Sequence, residues 1–216
     1  MNQTIVKSLG ALLLSAVFVA PAFAAAPTLT PVKAGQVFES QEQHYRILAP
    51  ADDYLHVPIK TGIAFGPSGG TNYYDDDPQG DYSLQVFATS DLPADCRGDL
   101  KKSVEWVNAH YMNPRAKKLM VTLKEEKRDF QGNAALYTET FLPEVVKKAP
   151  ANLTNVIQPA YEYANLIFFH GDFLYLLSFA DALKGPYYFK DKLTPAVEAK
   201  AGQHLEQFAK GFSTKD

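Results

Sequence analysis

The sequence predicts an α+β domain in which one antiparallel sheet of about six or seven strands is packed by two main helices. Short segments of alternating or continuous apolar residues, separated by Gly, Pro and Asn turns, predict the strands. Two longer segments repeat apolar residues every three or four positions, which predicts helices. No internal repeat or linker divides residues 36–216, so we expect them to form a single globular domain.

Two hairpins dominate the strand pattern. Residues 119–130 and 134–142 flank a turn at Gly132-Asn133, and charged residues alternate along the first of these strands. Residues 161–169 and 173–180 flank His170-Gly171-Asp172 and are almost continuously apolar, which predicts central strands covered on both faces. Further strands are predicted at 43–48, 59–65 and 82–89.

The two helices carry terminal signals as well as an apolar stripe. Asp99 is a good N-cap for residues 99–112, and Asn113-Pro114 ends that helix. Thr194 and Pro195 suit the N-cap and first turn of a second helix, at about 195–211. The apolar stripes are formed by Leu100, Val104, Val107 and Tyr111 in the first helix and by Val197, Ala201, Leu205, Phe208 and Phe212 at the second.

Residues 1–24 are typical of a cleavable signal peptide. Lys7 precedes an apolar run at 9–20, and Ala22-Phe23-Ala24 provides the small-residue cleavage pattern. We therefore expect cleavage after Ala24, a periplasmic or secreted protein, and a flexible arm at 25–35. No Cys follows the cleavage site, so the usual lipid attachment point is absent, and the lone Cys96 is expected to be a quiet packing thiol.

Charge and hydropathy exclude several partner classes. The formal net charge of −3 argues against nucleic-acid binding, which requires a basic face. After the signal peptide, no apolar run is long enough to form a membrane-spanning segment. No cofactor motif is present, and we expect no cofactor.

One segment matches a catalytic motif. Gly66–Gly70 has the G-x-S-x-G pattern in which a strand-to-helix turn exposes a nucleophilic Ser, here Ser68. The following residues do not predict a helix, so a flexible hairpin loop is the favoured interpretation. A serine hydrolase using Ser68, His170 and an Asp remains the alternative.

An acidic loop follows that motif. Asp75, Asp77 and Asp81 supply oxygen ligands at spacings that begin to resemble a calcium loop. Val86 occupies the position where a bidentate Glu is required, so a solvated acidic loop is favoured. A small-ligand or calcium-binding module using this loop is retained as another alternative.

Aromatic residues cluster in two predicted loops. Tyr73-Tyr74 lies beside the acidic loop, and Tyr187-Tyr188-Phe189 follows Gly185-Pro186. Aromatic loop residues bury a large area on contact at low entropic cost, so both clusters are candidates for partner binding. The alternative is that these rings fold back and cover the core.

The order of these segments resembles the PsbP/DcrB-like superfamily over about residues 44–213. The resemblance is carried by residues 44–50, the helix at 100–112, the hairpin around 131–135, the strand 173–179 and the closing segment 205–213. It implies an α/β/α sandwich whose members are mostly non-catalytic envelope or accessory proteins, with no universal catalytic residues to carry over. We therefore expect an exported, non-enzymatic protein that binds another protein or a small envelope component.

Overall fold

A large antiparallel sheet with one helix on each face forms the centre of the computed structural model. The structure describes residues 29–68, 80–111, 118–143, 145–147, 156–158, 160–183 and 195–215. Eight strands form the main sheet, and their order across it is Thr30–Pro31, Tyr54–Ile59, Gly62–Pro67, Asp81–Ala88, Phe173–Leu183, Ala160–His170, Asn133–Leu142 and Val121–Phe130. The predicted α+β class, with two helices sandwiching an antiparallel sheet, is confirmed, and the sheet has eight strands rather than six or seven.

The strand bounds follow the predicted hairpins closely. The main-sheet strands are β1 (Thr30–Pro31), β4 (Tyr54–Ile59), β5 (Gly62–Pro67), β6 (Asp81–Ala88), β7 (Val121–Phe130), β8 (Asn133–Leu142), β11 (Ala160–His170) and β12 (Phe173–Leu183). Two smaller sheets contain β2 (Val37–Ser40), β3 (Tyr45–Leu48) and β13 (Phe212–Thr214), and β9 (Val145–Lys147) with β10 (Val156–Gln158). The helices are α1 (Leu100–Tyr111) and α2 (Pro195–Lys210).

Helix α1 covers one face of the sheet near its middle. Its predicted N-cap is confirmed, since the Asp99 carboxylate accepts the backbone N–H of Lys102 at 3.1 Å. Val107 packs with Ile167 and Leu174 in a compact apolar cluster that also buries Cys96. Burial raises the pKa of the Cys96 thiol, as expected for a packing residue.

Helix α2 covers the opposite face, over a much more aromatic core. Leu205 and Phe208 pack on the sheet, and β13 then pairs with β3 so that Phe212 closes one side of the core. The rings of Phe168 and Tyr175 stack with centroids 5.3 Å apart. Each fully buried side chain of this size contributes about 1.5–3 kcal/mol to the free energy of folding.

The strand predicted at 59–65 is confirmed over residues 62–65, which belong to β5, but its start is wrong because the segment contains a turn. Lys60-Thr61 joins β4 to β5, and these strands pair antiparallel. Strand β4 was not predicted from the sequence because it contains Pro58, and proline, which cannot donate a ladder hydrogen bond, is rare within strands. It is tolerated there because β1 pairs only with Leu55 and His56, which leaves Pro58 beyond the end of that pairing.

The arm predicted at 25–35 is also corrected over its described part. Thr30 and Pro31 pair with β4, and Val32 is buried, with its N–H donated to the Tyr54 carbonyl at 2.9 Å. A two-residue strand is too short to be recognised from periodicity, so its position depends on tertiary pairing.

Candidate functional site

Four carboxylic acids gather at one end of the main sheet, which we call the acidic end: Asp81, Glu139, Glu162 and Asp181. They lie on the adjacent strands β6, β8, β11 and β12, and the register places Asp181 directly opposite Glu162. Glu162 and Asp181 are fully buried at 0% and 1% exposure, and Glu139 is 9% exposed. Acidic side chains are rarely so buried, so this end is chemically distinct from the rest of the core.

Asp81 lies on the α1 side of the sheet, because alternation along β6 places it on the same face as Phe87. The absence of a side chain at Gly66 leaves it room, since a Cβ there would approach Asp81 Oδ1 to 3.3 Å. Burial, and secondly the charge of Asp181, raise the pKa of Asp81 to about 7. Asp81 therefore exchanges its proton in the neutral pH range and not, as an ordinary Asp does, in the acidic range.

Polar residues continue across the sheet from Asp81. Tyr163 lies two strands away, beyond the small Ala180, and its pKa is raised by burial and then by Asp81. The next row contains Ser178, whose hydroxyl donates to Asn165 Oδ1 at 2.8 Å. Within the described part of the chain, the buried Gln85 Oε1 and Thr140 Oγ1 accept no hydrogen bond. This half of the α1 face is therefore polar and incompletely satisfied by the described residues.

The α2 side of the acidic end combines aromatic rings with three of the four acids, because alternation places Glu139, Glu162 and Asp181 on the same face as Tyr137, Ala164 and Phe179. Tyr54 donates its hydroxyl hydrogen to the Gly80 carbonyl at 3.1 Å, and the ring of Tyr54 packs edge-on to Tyr82. Tyr82 Oη lies 2.9 Å from His204 Nδ1, and the His204 ring stacks on Phe179. Burial, followed by Tyr82 and the two Asp charges, raises the pKa of Tyr54, so its phenol stays protonated.

Glu139 is held separately, beneath helix α2. Its carboxylate accepts a short hydrogen bond from Tyr137 Oη. Gly202 allows this approach, because a Cβ at that position would lie 2.3 Å from Tyr137 Oη and 2.7 Å from Glu139 Oε1. The pair is thus clamped by the helix, and this arrangement favours a structural role.

The aromatic partner-binding candidates lie outside the described residues. These are Tyr73 and Tyr74, and Tyr187, Tyr188 and Phe189. The segments that carry them nevertheless connect to strands whose ends are described: 69–79 joins β5 to β6, and 184–194 follows β12. Both connections therefore leave the sheet at the acidic end.

The calcium alternative remains a prediction. Asp75 and Asp77 lie outside the described residues, and of the three candidates only Asp81 has a described position, largely buried on β6. In the described ranges, no group of three His, Cys, Asp or Glu side chains is arranged to hold a metal ion.

The proposed pairing of Ser68 with His170 is wrong. Ser68 is exposed just after β5, at the acidic end, and its N–H donates to the Asp53 carbonyl at 2.7 Å. His170 ends β11 at the opposite end of the sheet. It lies six residues beyond Ala164, and the strand register places Ala164 in the same row across the sheet as Phe65, three residues before Ser68. Six extended residues span about 20 Å, far beyond hydrogen-bond reach.

Sequence reasoning missed Glu162 and Asp181 as members of this site. Glu162 lies in a strand that is predicted from its apolar residues, and Asp181 lies one residue beyond the predicted end of the next strand, so neither acid is singled out by periodicity alone. The available signal was the presence of a carboxylate within a segment predicted to be covered on both faces, since such a group needs a partner or a raised pKa.

Comparison with solved structures gives the fold. The cyanobacterial PsbP (CyanoP) of Synechocystis sp. PCC 6803 superposes with a TM-score of 0.50 at 11% identity, covering 90% of this chain and 99% of that one. The chain has a PsbP-like fold. The Ran-binding protein Mog1p of Saccharomyces cerevisiae superposes with a TM-score of 0.51 at 12% identity, covering 86% of this chain and 97% of that one. The predicted PsbP/DcrB-like resemblance is thereby confirmed at the level of fold.

Sequence comparisons add no closer relative, since neither a protein-family model nor a curated protein matches the chain. Across the described ranges, no helix combines the length and apolar character needed to cross a bilayer.

Proposed function

We propose that this protein is an exported, non-enzymatic binding or accessory protein that contacts its partner at the acidic end of the sheet. The observation that carries the proposal is topological. The two connections that contain Tyr73-Tyr74 and Tyr187–Phe189 leave the sheet at the same end, beside Asp81 and Asp181. Aromatic loop residues on a rigid sheet are well suited to recognition, because they bury a large area on binding and lose little conformational entropy.

The bonding pattern favours binding over catalysis. Tyr54, Tyr82 and Tyr137 at this end each bond to another group of the same chain. Burial raises the pKa values of Tyr54 and Tyr137, which keeps these phenols protonated and weak as nucleophiles. The separation of Ser68 from His170 removes the acyl-transfer arrangement suggested by the sequence motif.

The fold supports the same class of function. Mog1p, which has a similar fold, is described as a Ran-binding protein, so a protein-binding role is compatible with this architecture. The signal-peptide pattern at residues 1–24 supports a partner in the periplasm or outside the cell. Export predicts a mature N-terminus at Ala25, which mass spectrometry of protein from a periplasmic extract tests directly.

The partner-binding surface is tested by affinity capture from envelope extract. The tagged wild-type protein is compared with Tyr187→Ala/Tyr188→Ala and with a control variant at the opposite end, Lys60→Ala/Asp172→Ala. The control residues are exposed turn positions, so their loss leaves the acidic end intact. Aromatic anchors in an interface contribute at least about 2 kcal/mol each, so we expect the first variant to lose its specific partner by more than tenfold.

Two results contradict the proposal. Equal recovery by wild type and the Tyr187→Ala/Tyr188→Ala variant means that the loop is not the contact surface. Equal loss by both variants means that binding depends on general integrity of the fold rather than on the acidic end. Circular dichroism of all three proteins accompanies the experiment, so that unfolding is recognised.

A further inference from the structure

A concave surface lies between helix α2 and the β7–β8 hairpin, and we call it the α2 groove. It has a volume of about 390 Å³. Its floor is apolar, formed by Phe130, Leu166, Leu205 and Ala209, and its rim carries Arg128 and Lys210. Ligand sites for small molecules are typically concave, apolar and about 300–1,000 Å³ in volume, so the α2 groove lies in that range.

The charge at the rim is held in a defined orientation. The Arg128 guanidinium lies over the Tyr137 ring, with its carbon 3.6 Å from the ring centroid. Its Nε and one terminal nitrogen both donate to Glu126 Oε2, at 3.1 and 2.9 Å. Stacking on Tyr137 and the bond to Glu126 fix the plane of the guanidinium. Its second terminal nitrogen is therefore held in one position at the groove.

The remaining edge of Arg128 is only loosely occupied. Its second terminal nitrogen bonds to Glu206 Oε1 at 3.3 Å, and the Glu206 side chain is 60% exposed. An exposed ion pair of this kind contributes about 1 kcal/mol or less, so a competing anion displaces it easily. The other carboxylate of the lining, Asp129, accepts the Gly132 backbone N–H at 3.2 Å within the hairpin turn.

Lys210 adds a second cation one helical turn beyond Glu206. Positions four residues apart lie on one side of a helix, which places the exposed Lys210 along the same rim. A carboxylate that replaces Glu206 at Arg128 lies on the rim that also carries Lys210, while its apolar part can cover Leu205 and Ala209.

We propose that the α2 groove binds a small organic carboxylate with an apolar body of about ten carbon atoms. The size follows from the volume, because 390 Å³ corresponds to about thirteen molecules of liquid water at roughly 30 Å³ each. The anionic group replaces Glu206 at the guanidinium and the body covers the apolar floor. This inference does not rest on partner binding at the acidic end, although Tyr137 of the groove also bonds to Glu139 at that end.

The probe is 4-phenylbutyrate, and its neutral isostere 4-phenylbutyramide is the matched ligand control. Binding is followed by NMR chemical-shift changes on the full mature chain. A ligand of about twelve non-hydrogen atoms is expected to bind with a Kd of about 1 mM. We expect shifts at 128–131 and 205–210, and an affinity for the amide at least about fivefold weaker, because the charge-assisted bond to Arg128 is lost.

Two variants change the affinity in opposite directions. Lys210→Gln is expected to raise the Kd for 4-phenylbutyrate about threefold, since one cation is removed. Glu206→Gln is expected to lower it about threefold, because the carboxylate that competes for Arg128 is gone. Both residues are exposed, so the fold should tolerate the changes. Lys60→Gln, an exposed lysine in the β4–β5 turn, is the matched control and leaves the Kd unchanged.

The proposal is overturned if the amide binds as tightly as the carboxylate, because the groove is then merely apolar. It is also overturned if Glu206→Gln weakens binding, or if the shifted residues lie outside the α2 groove. None of these outcomes affects the capture experiment at the acidic end.

Discussion

The two faces of the main sheet are built differently, although the same strands supply both. The face under α2 is a large core rich in aromatic residues, including Tyr82, Phe168, Tyr175 and Phe179, and it carries the buried acids only at its acidic end. The face under α1 is apolar only where that helix packs, around Ile167 and Leu174, and becomes polar toward the acidic end. The difference indicates that the α2 face carries most of the stability, while the polar half of the α1 face is available for other roles.

Truncation of adjacent phenylalanines gives the largest expected contrast between the faces. Phe168 is 0% exposed on the α2 face, and Phe169, on the α1 face, is only partly buried. Phe168→Ala should lower the free energy of unfolding by about 4 kcal/mol, because it leaves a cavity beside Tyr175 and Phe212. Phe169→Ala should cost at most about half as much. Urea denaturation measures both, and equal costs would contradict the assigned division between the faces.

The pH dependence of stability is expected to reveal the polar half of the α1 face. The folded-state pKa of Asp81 is raised to about 7 from 3.8, so the folded protein binds a proton more tightly than the unfolded chain. Stability associated with this group is therefore present below about pH 4 and is lost as the pH rises toward 7. A shift of this size corresponds to about 4 kcal/mol, and residual solvent contact reduces it to about 3.

Asp81→Asn tests this expectation because it removes the charge and keeps the shape. The variant should gain about 3 kcal/mol over wild type at pH 8 and little at pH 4, measured by urea denaturation across that range. Asp172→Asn, in an exposed turn, is the control and should follow the wild-type curve. Equal effects of Asp81→Asn at both pH values would show that the carboxyl is not destabilised by burial.

The difference between the faces also explains which features were predictable. Continuous apolar runs identified β11 and β12, and the Asp99 cap identified the start of α1, because periodicity and capping are local properties. The β4–β5 turn was missed because Lys60-Thr61 is only a short polar break, without the Asn-Gly or Asp-Gly pair that marks a two-residue hairpin turn. The acidic end depends on register between four strands, and register is set by long-range pairing that one sequence does not display.

The α2 groove was missed for a similar reason. Arg128 is one of the charged residues that alternate along 119–130, a sequence pattern that is typical of a solvated strand face. Only packing against α2, through Leu205 and Glu206, turns that strand face into the wall of a groove.

A smaller effect is expected from the close contact between α2 and the sheet. Alanine normally stabilises a helix interior by about 1 kcal/mol over glycine. At Gly202 the added Cβ would lie 2.3 Å from Tyr137 Oη, so Gly202→Ala should instead cost about 2 kcal/mol. Gln203→Ala, at the exposed next position, should change stability by less than about 0.5 kcal/mol. Thermal melts compare the two, and stabilisation by Gly202→Ala would mean that the helix packs less closely than described.

The smallest expected effect comes from the polar row itself, where Leu177 and Ser178 are neighbours on opposite faces of β12. Ser178→Ala removes the hydroxyl that donates to Asn165 Oδ1 at 2.8 Å, which should cost about 1 kcal/mol, because the half-buried Asn165 can recover part of its bonding from water. Leu177→Ala, at a fully buried position under α2, should cost about 3 kcal/mol. If Ser178→Ala costs as much as Leu177→Ala in urea denaturation, the polar row is a stabilising network in its own right. The polar half of the α1 face would then be committed to holding the sheet together rather than available for recognition.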